Sequence, residues 1–151
     1  MKTSNPKVQK YSDKYREQVL SVWERSVLAT HDFLSQEDFQ SIKELVRTID
    51  FNHIDVLCLI QDDQVLGFLG VAGQKTEMLF LDPDYFGQGL GKILMSHAIN
   101  ELSVDKVDVN EQNINAVNFY HHLGFKTYER TDKDDQGKDY PLLRMKLNRQ
   151  E

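Results

Sequence analysis

The sequence contains a single cysteine, Cys58, in 151 residues, so no intrachain disulfide can staple it. Cys58 lies within Val56-Leu57-Cys58-Leu59-Ile60, where a small buried core side chain is expected. Prolines number only three, and no Pro-, Gly- and Ser-rich linker, internal repeat or low-complexity tract interrupts the chain. Long apolar runs are missing: nothing approaches the ~20 residues of a membrane-spanning helix. No apolar stretch follows the opening Met1-Lys2-Thr3-Ser4-Asn5-Pro6, which argues against a signal peptide. A cytoplasmic setting with no membrane partner is the expectation. Positive charge is also short, with 18 Lys and Arg against 24 Asp and Glu and a net charge of −6. Nucleic-acid binding depends on Lys and Arg neutralising phosphates, and the absence of a basic stripe excludes nucleic acid as an expected partner. An acidic surface suits a cationic acceptor such as an amine.

What is present describes one soluble globular domain over residues 1–151. Hydrophobic residues make up 40% and charged residues 28%, enough for a core and a solvated surface. Val8 to Tyr11 reads as a first strand, after which Ser12 can cap a helix. Tyr15, Val19, Trp23 and Val27 recur at helical spacing. Ser35-Gln36-Glu37-Asp38 is a variant capping box opening a second helix, whose buried stripe is Ile42, Leu45, Val46 and Ile49. The period then changes. Asp55 to Gln61 and Val65 to Ala72 read as a hairpin about the turn Asp62-Asp63-Gln64. Thr76 to Leu81 is a third strand of this run, ended by Asp82-Pro83-Asp84, since proline cannot donate to a ladder.

Gly87-Gln88-Gly89-Leu90-Gly91 then runs directly into a helix with Leu90, Leu94, Ala98 and Leu102 on its apolar face. Lys106 to Asn110 is strand-like. Asn113 to His122 is a short helix stopped at Leu123-Gly124-Phe125, with Gly124 placed as a left-handed cap. Lys126 to Arg130 and Leu142 to Leu147 are closing strands, joined by the polar loop Thr131 to Asp139. The order βααβββαβαββ predicts an α/β (α+β) fold, a mixed sheet covered by helices.

Strand, glycine loop and helix together form an anion site. Glycines allow positive φ and close approach to the backbone, and a helix that starts there aims free N–H groups and its positive dipole end at one point. The spacing does not fit a dinucleotide fingerprint, which needs its third glycine one residue later, and Gly91-Lys92-Ile93 lacks the hydroxyl that closes a P-loop. A diphosphate cradle remains, while NAD and ATP sites are not expected.

At this point the chain resembles the GNAT superfamily of N-acetyltransferases, specifically a branch of small bacterial members. Phe86-Gly87-Gln88-Gly89-Leu90-Gly91 is similar to the family's Gln/Arg-x-x-Gly-x-Gly/Ala loop, with Phe86 in place of the usual Gln or Arg. Asn113-Ile114-Asn115-Ala116-Val117-Asn118-Phe119-Tyr120, followed by Leu123-Gly124-Phe125, is similar to its Asn-x-x-Ala-x-x-Phe-Tyr and Leu-Gly-Phe signature. Thr30-His31-Asp32-Phe33-Leu34 and Tyr140-Pro141-Leu142-Leu143 resemble the small bacterial branch. The resemblance implies a mostly antiparallel central sheet with about four helices, acetyl-CoA as acetyl donor, and a small-molecule or peptide amine as acceptor. It leaves a monomer or a homodimer open.

The resemblance also implies residue roles. The pyrophosphate would rest on Phe86, Gly87, Gln88, Gly89, Leu90, Gly91 and Lys92, with the Phe86 side chain offering no donor. The pantetheine arm would pair like an added strand along Leu79, Phe80 and Leu81, with a backbone N–H near Leu81 facing the thioester oxygen. Asn113 and Ala116 would contact that arm, although Asn113 is equally suited to cap its helix. Tyr120 would protonate the departing thiolate, a task for which a phenol of pKa about 10 is suited; as one of two adjacent aromatics it could instead be core. Glu77, His31, Asp32 or a water chain could take the amine proton. His31, Asp32 and Asn110 would face the acceptor. No metal is implied, since the adjacent His121 and His122 do not share a helix face. A non-catalytic acyl-CoA sensor is the competing reading: Phe86 favours it, and Tyr120 with an intact glycine loop opposes it.

Overall fold

A computed structural model describes residues 5–148. The expectation of no leader segment rests partly on residues 1–4, which lie outside the described residues. The elements are β1 (Lys7–Lys10), α1 (Arg16–Thr30), α2 (Gln36–Arg47), β2 (Asp55–Gln61), β3 (Gln64–Ala72), β4 (Lys75–Leu81), α3 (Leu90–Glu101), β5 (Lys106–Asn110), α4 (Ile114–His122), β6 (Phe125–Thr131) and β7 (Leu142–Leu147). This is the order expected from sequence, with two short 3-10 turns added, Asp13–Tyr15 and Pro83–Tyr85. Ser12 precedes the first of these turns and makes no side-chain cap bond. The other caps form as read: Ser35 Oγ accepts from the Asp38 N–H, Asn113 Oδ1 accepts from the Ala116 N–H, and Gly124 takes φ 101°.

The strands form one sheet in the order β1-β2-β3-β4-β5-β7-β6. Every neighbouring pair is antiparallel except β4 with β5. Both faces are covered, which is why β2 and β3 read as continuous apolar runs. Val56, Cys58, Ile60 and Phe68 pack with Val19, Trp23 and Phe39 beneath α1 and α2. Leu57, Leu59 and Leu69 pack with Leu94, Met95, Ala98 and Tyr120 beneath α3 and α4.

Two irregularities in β4 shape the cleft. Opposite β3, Gly70 faces Met78 while Val71 faces Thr76, so Glu77 is an extra residue, a bulge that bends and re-aims the strand. On its other side β4 pairs with β5 only at Lys75↔Lys106 and Thr76↔Val107. Past Thr76 the two strands part. The Asp82 N–H donates to the Leu66 carbonyl at 2.8 Å, and hydrogen-bonded pairs alternate along an antiparallel ladder. Met78 and Phe80 therefore aim their backbone groups at β3, while Leu79 and Leu81 aim theirs into the gap.

Asp82, only 1% exposed, fixes the exit of β4. Its carboxylate accepts two bonds from the Arg25 guanidinium on α1, at 2.9 and 2.6 Å, and one from the Asp84 N–H at 3.0 Å. The two partners are unequally solvated, the Arg25 side chain being 44% exposed. Arg25→Ala strands a buried carboxylate and should cost on the order of 3 kcal/mol. Asp82→Asn keeps an acceptor and leaves Arg25 free to hydrate, so it should cost less. Chemical denaturation of both variants checks the order, and an equal or reversed ranking contradicts it.

Candidate active site

Where β4 and β5 part, a cleft of about 390 Å³ opens between α1, the glycine loop and α4. Its floor is Leu79, Phe80 and Leu81 of β4. One end is the loop and first turn of α3, with Phe86, Gly87, Gly89, Leu90, Gly91 and Lys92 lining it. Gly87 and Gly89 have φ of 79° and 77°, and a Cβ on either would meet nothing within 4 Å. Their faces are open space beside the start of α3, where the first-turn N–H groups have no intrahelical acceptor. Gly91 is needed for packing instead: a Cβ there would lie 3.2 Å from the Phe119 ring.

The opposite wall is α4, contributing Asn113, Asn115, Ala116, Phe119 and Tyr120. Tyr120 is 6% exposed, its ring set edge-on to Phe119 and Phe125. Burial pushes its phenol above the usual range, so it is a fully protonated donor at neutral pH. No described residue hydrogen-bonds to its hydroxyl.

His31 closes the cleft from α1, as the residue that ends that helix. Its ring tilts against Phe33 at 5.1 Å, and Phe33 packs on Tyr140 at 5.9 Å. The Tyr140 hydroxyl and Lys138 both donate to Asp38 on α2, at 2.5 and 2.9 Å. The loop between β6 and β7 is thus clasped to the segment carrying His31. Burial lowers the His31 pKa from its ordinary 6.5 to about 4, against an opposing pull from Asp32.

The remaining sequence-nominated residues do not all share this space. Glu77 and Asn110 line a smaller adjoining hollow of about 130 Å³, which His31 and Tyr120 also border. Asp32 instead lines a groove between α1 and α2, which His31 also borders. Gln88 is exposed at the loop tip. Residues not singled out from sequence complete the walls: Ser26, Thr30, Asn115 and Phe119 in the cleft and Asp108 in the hollow. Asp108 binds Lys75 and Arg144 through Oδ2, at 2.9 and 2.8 Å, while its buried Oδ1 has no partner among the described residues. Ser26 and Thr30 are four residues apart, one helical turn, just before His31, a signal that could have flagged them. Among the described residues, no three His, Cys, Asp or Glu side chains converge as a metal site.

A family model described as an acetyltransferase (GNAT) domain matches residues 12–148. The chain belongs to the GNAT acetyltransferase family. Among GNAT relatives, Escherichia coli peptidyl-lysine N-acetyltransferase YjaB is 42% identical over 129 residues, covering 85% of this chain and 88% of the relative. The solution structure of apo-form YjaB superposes with a TM-score of 0.85 at 38% identity, covering 97% of this chain and 98% of that one. The PaiA N-acetyltransferase of Thermoplasma acidophilum, in complex with coenzyme A, shares the fold with a TM-score of 0.69 at 24% identity, covering 95% and 100% of the two chains. This GNAT enzyme is an N-acetyltransferase, and acetyl-CoA is its donor, as the sequence resemblance implied.

The half-buried state of His31 has a consequence for stability. The unfolded chain binds a proton there as pH falls through 6.5, whereas the folded chain binds it only near pH 4. The penalty is absent above pH 6.5, grows as pH falls and is complete below about pH 4, where it reaches up to about 3 kcal/mol. Urea titrations of wild type and His31→Gln should differ by a constant amount above pH 6.5 and show a shallower loss for the variant in acid. Parallel curves would show that His31 titrates alike folded and unfolded.

Proposed function

We propose that this enzyme acetylates lysine side chains of proteins by direct attack of the amine on acetyl-CoA. The observation that carries the mechanism is convergence: the free edge of β4, a neutral imidazole and a protonated phenol border one cleft. The acceptor class is carried over from YjaB, named a peptidyl-lysine N-acetyltransferase. A cytoplasmic setting, where protein lysines and acetyl-CoA meet, suits this reading.

Each part has a physical task. The pyrophosphate sits at the start of α3, held by backbone N–H groups of the glycine loop and first turn, with Phe86 adding only apolar contact. The pantetheine amides pair with Leu79 and Leu81 as a short added strand. A fixed N–H on that edge stabilises the oxyanion formed when the amine attacks. The approaching ammonium first gives up one proton to solvent water, which frees the lone pair it attacks with. As the nitrogen bonds to carbon it becomes acidic again, and His31, neutral at working pH, takes the second proton. The C–S bond breaks and the thiolate takes the Tyr120 proton. The products are an amide and coenzyme A, and solvent exchange restores both side chains. Glu77, Asp108 and Asn110, in the adjoining hollow, face the acceptor and offer it hydrogen-bond acceptors. Asp32, in the α1–α2 groove, meets the acceptor farther out.

Two measurements test this. Acetyl-CoA at one hundred times its Kd should stabilise the fold by about 2.7 kcal/mol, visible as a raised Tm that NAD and ATP do not match. Gly89→Glu places a side chain and a negative charge in the cradle and should abolish the rise; an unchanged rise would move the coenzyme elsewhere. Tyr120→Phe keeps the ring and should lower kcat by about 10² to 10⁴, with coenzyme affinity changed by less than about tenfold. The loss should shrink for a thioester with a more acidic leaving thiol. A variant as fast as wild type would remove Tyr120 from proton transfer.

A further inference from the structure

The mechanism needs a lone pair on His31, and a ring nitrogen offers one only when it carries no proton. The last turn of α1 decides which nitrogen that is. The Thr30 hydroxyl lies 2.8 Å from the Ser26 carbonyl oxygen and 2.8 Å from His31 Nδ1. A carbonyl can only accept, so the single hydroxyl hydrogen of Thr30 is committed to Ser26. Toward His31 the Thr30 oxygen therefore presents a lone pair. An Nδ1 without hydrogen would set two lone pairs face to face at that distance, so Nδ1 must be the donor. The proton of the neutral ring is on Nδ1, and Nε2 is left bare. No described residue bonds to Nε2.

We propose that Thr30 is a positioning residue for acetyl transfer: by accepting from Nδ1 it holds His31 in the tautomer whose Nε2 is free to take the acceptor's proton. This rests on the reading of His31 as the base. Thr30 does not touch the reacting atoms in this role and acts through the ring. The chain Ser26 carbonyl, Thr30 hydroxyl, Nδ1–H runs within one helical turn, so the orientation costs no long-range contact. Ser26 is buried, and Ser26 and Thr30 both line the cleft, which keeps the chain against the coenzyme side of the ring. Other charged groups border His31 without replacing this bond. Asp32 is its neighbour, Glu24 lies on the same α1–α2 groove, and Glu77, Asp108 and Tyr120 border the adjoining hollow. The ring is neutral well below physiological pH because burial disfavours its cation, so tautomer rather than charge is the variable that Thr30 controls.

The test is ring-nitrogen NMR of protein labelled with ¹⁵N-histidine, at neutral pH, beside steady-state kinetics with acetyl-CoA and a lysine peptide. Wild type should show a protonated Nδ1 and a bare Nε2 for His31. Thr30→Val, close in shape but without the oxygen, should move the proton toward Nε2 and lower kcat by about tenfold or more, with the acetyl-CoA KM little changed. Thr30→Ser keeps the hydroxyl and should restore both the ring signals and most of the rate. A wild-type ring protonated on Nε2, or a Thr30→Val ring still protonated on Nδ1 alone, overturns the assignment whatever the rates. His31→Gln separates the two readings: full activity in that variant removes His31 as the base, while the NMR result on Thr30 stands or falls by itself. A tautomer shift in Thr30→Val with no change in kcat overturns the catalytic part of the proposal.

Discussion

The divergence of β4 from β5 is the constraint on which the rest of the site depends. A strand inside a sheet normally spends both rows of backbone groups on its neighbours. Here β4 is bonded to β3 along its length but to β5 only at Lys75 and Thr76, and the bulge at Glu77 turns it away. Leu79 and Leu81 are left with N–H and C=O groups facing a cleft instead of a partner strand. A polar backbone in such a place is costly to leave unpaired, and an extended ligand carrying amides answers that need. The Arg25–Asp82 pair then anchors the strand exit to α1, so the glycine loop leaves at a fixed place and α3 starts at the end of the same gap.

In the proposed reading the pyrophosphate is met by backbone alone, which is how Phe86 can stand where the resemblance implies a side-chain donor. The first turn of α3 and the left-handed Gly87 and Gly89 supply N–H groups and open space. Phe86 is 42% exposed and lines the cleft, where an apolar ring can cover a coenzyme without bonding to it. The side-chain chemistry is concentrated at the other end, where the loop after α1 meets α4. There the Tyr140, Asp38 and Lys138 clasp fixes the segment carrying His31.

The order of elements, the Ser35 and Asn113 caps and the glycine loop were legible because each depends on a few adjacent residues with distinct chemistry. The grouping of Leu79, the glycine loop, Asn113 and Tyr120 in one cleft was legible only through the family resemblance, since nothing local says that β4 and β5 part. Asp32 was harder to place: it adjoins His31 at a helix end, where His31 borders both the cleft and the α1–α2 groove while Asp32 lines only the groove. Glu77 and Asn110 fell in the neighbouring hollow because the bulge, set by long-range pairing, decides where Glu77 points. Ser26 and Thr30 were hidden by the strong apolar face of α1, whose Val19, Trp23 and Val27 draw the eye to the core. Asp108, on a strand of alternating polarity, reads as an ordinary exposed charge until β4 and β7 bring Lys75 and Arg144 against it.

The most direct measurement is amide hydrogen exchange along β4 with and without coenzyme A. If the arm docks as an added strand, the amides of Leu79 and Leu81 should slow by about tenfold or more at saturating coenzyme. Those of Met78 and Phe80, already bonded to β3, should change little. Protection confined to Leu90, Gly91 and Lys92, with Leu79 and Leu81 exchanging as before, would contradict the free edge of β4 as the place where the donor binds.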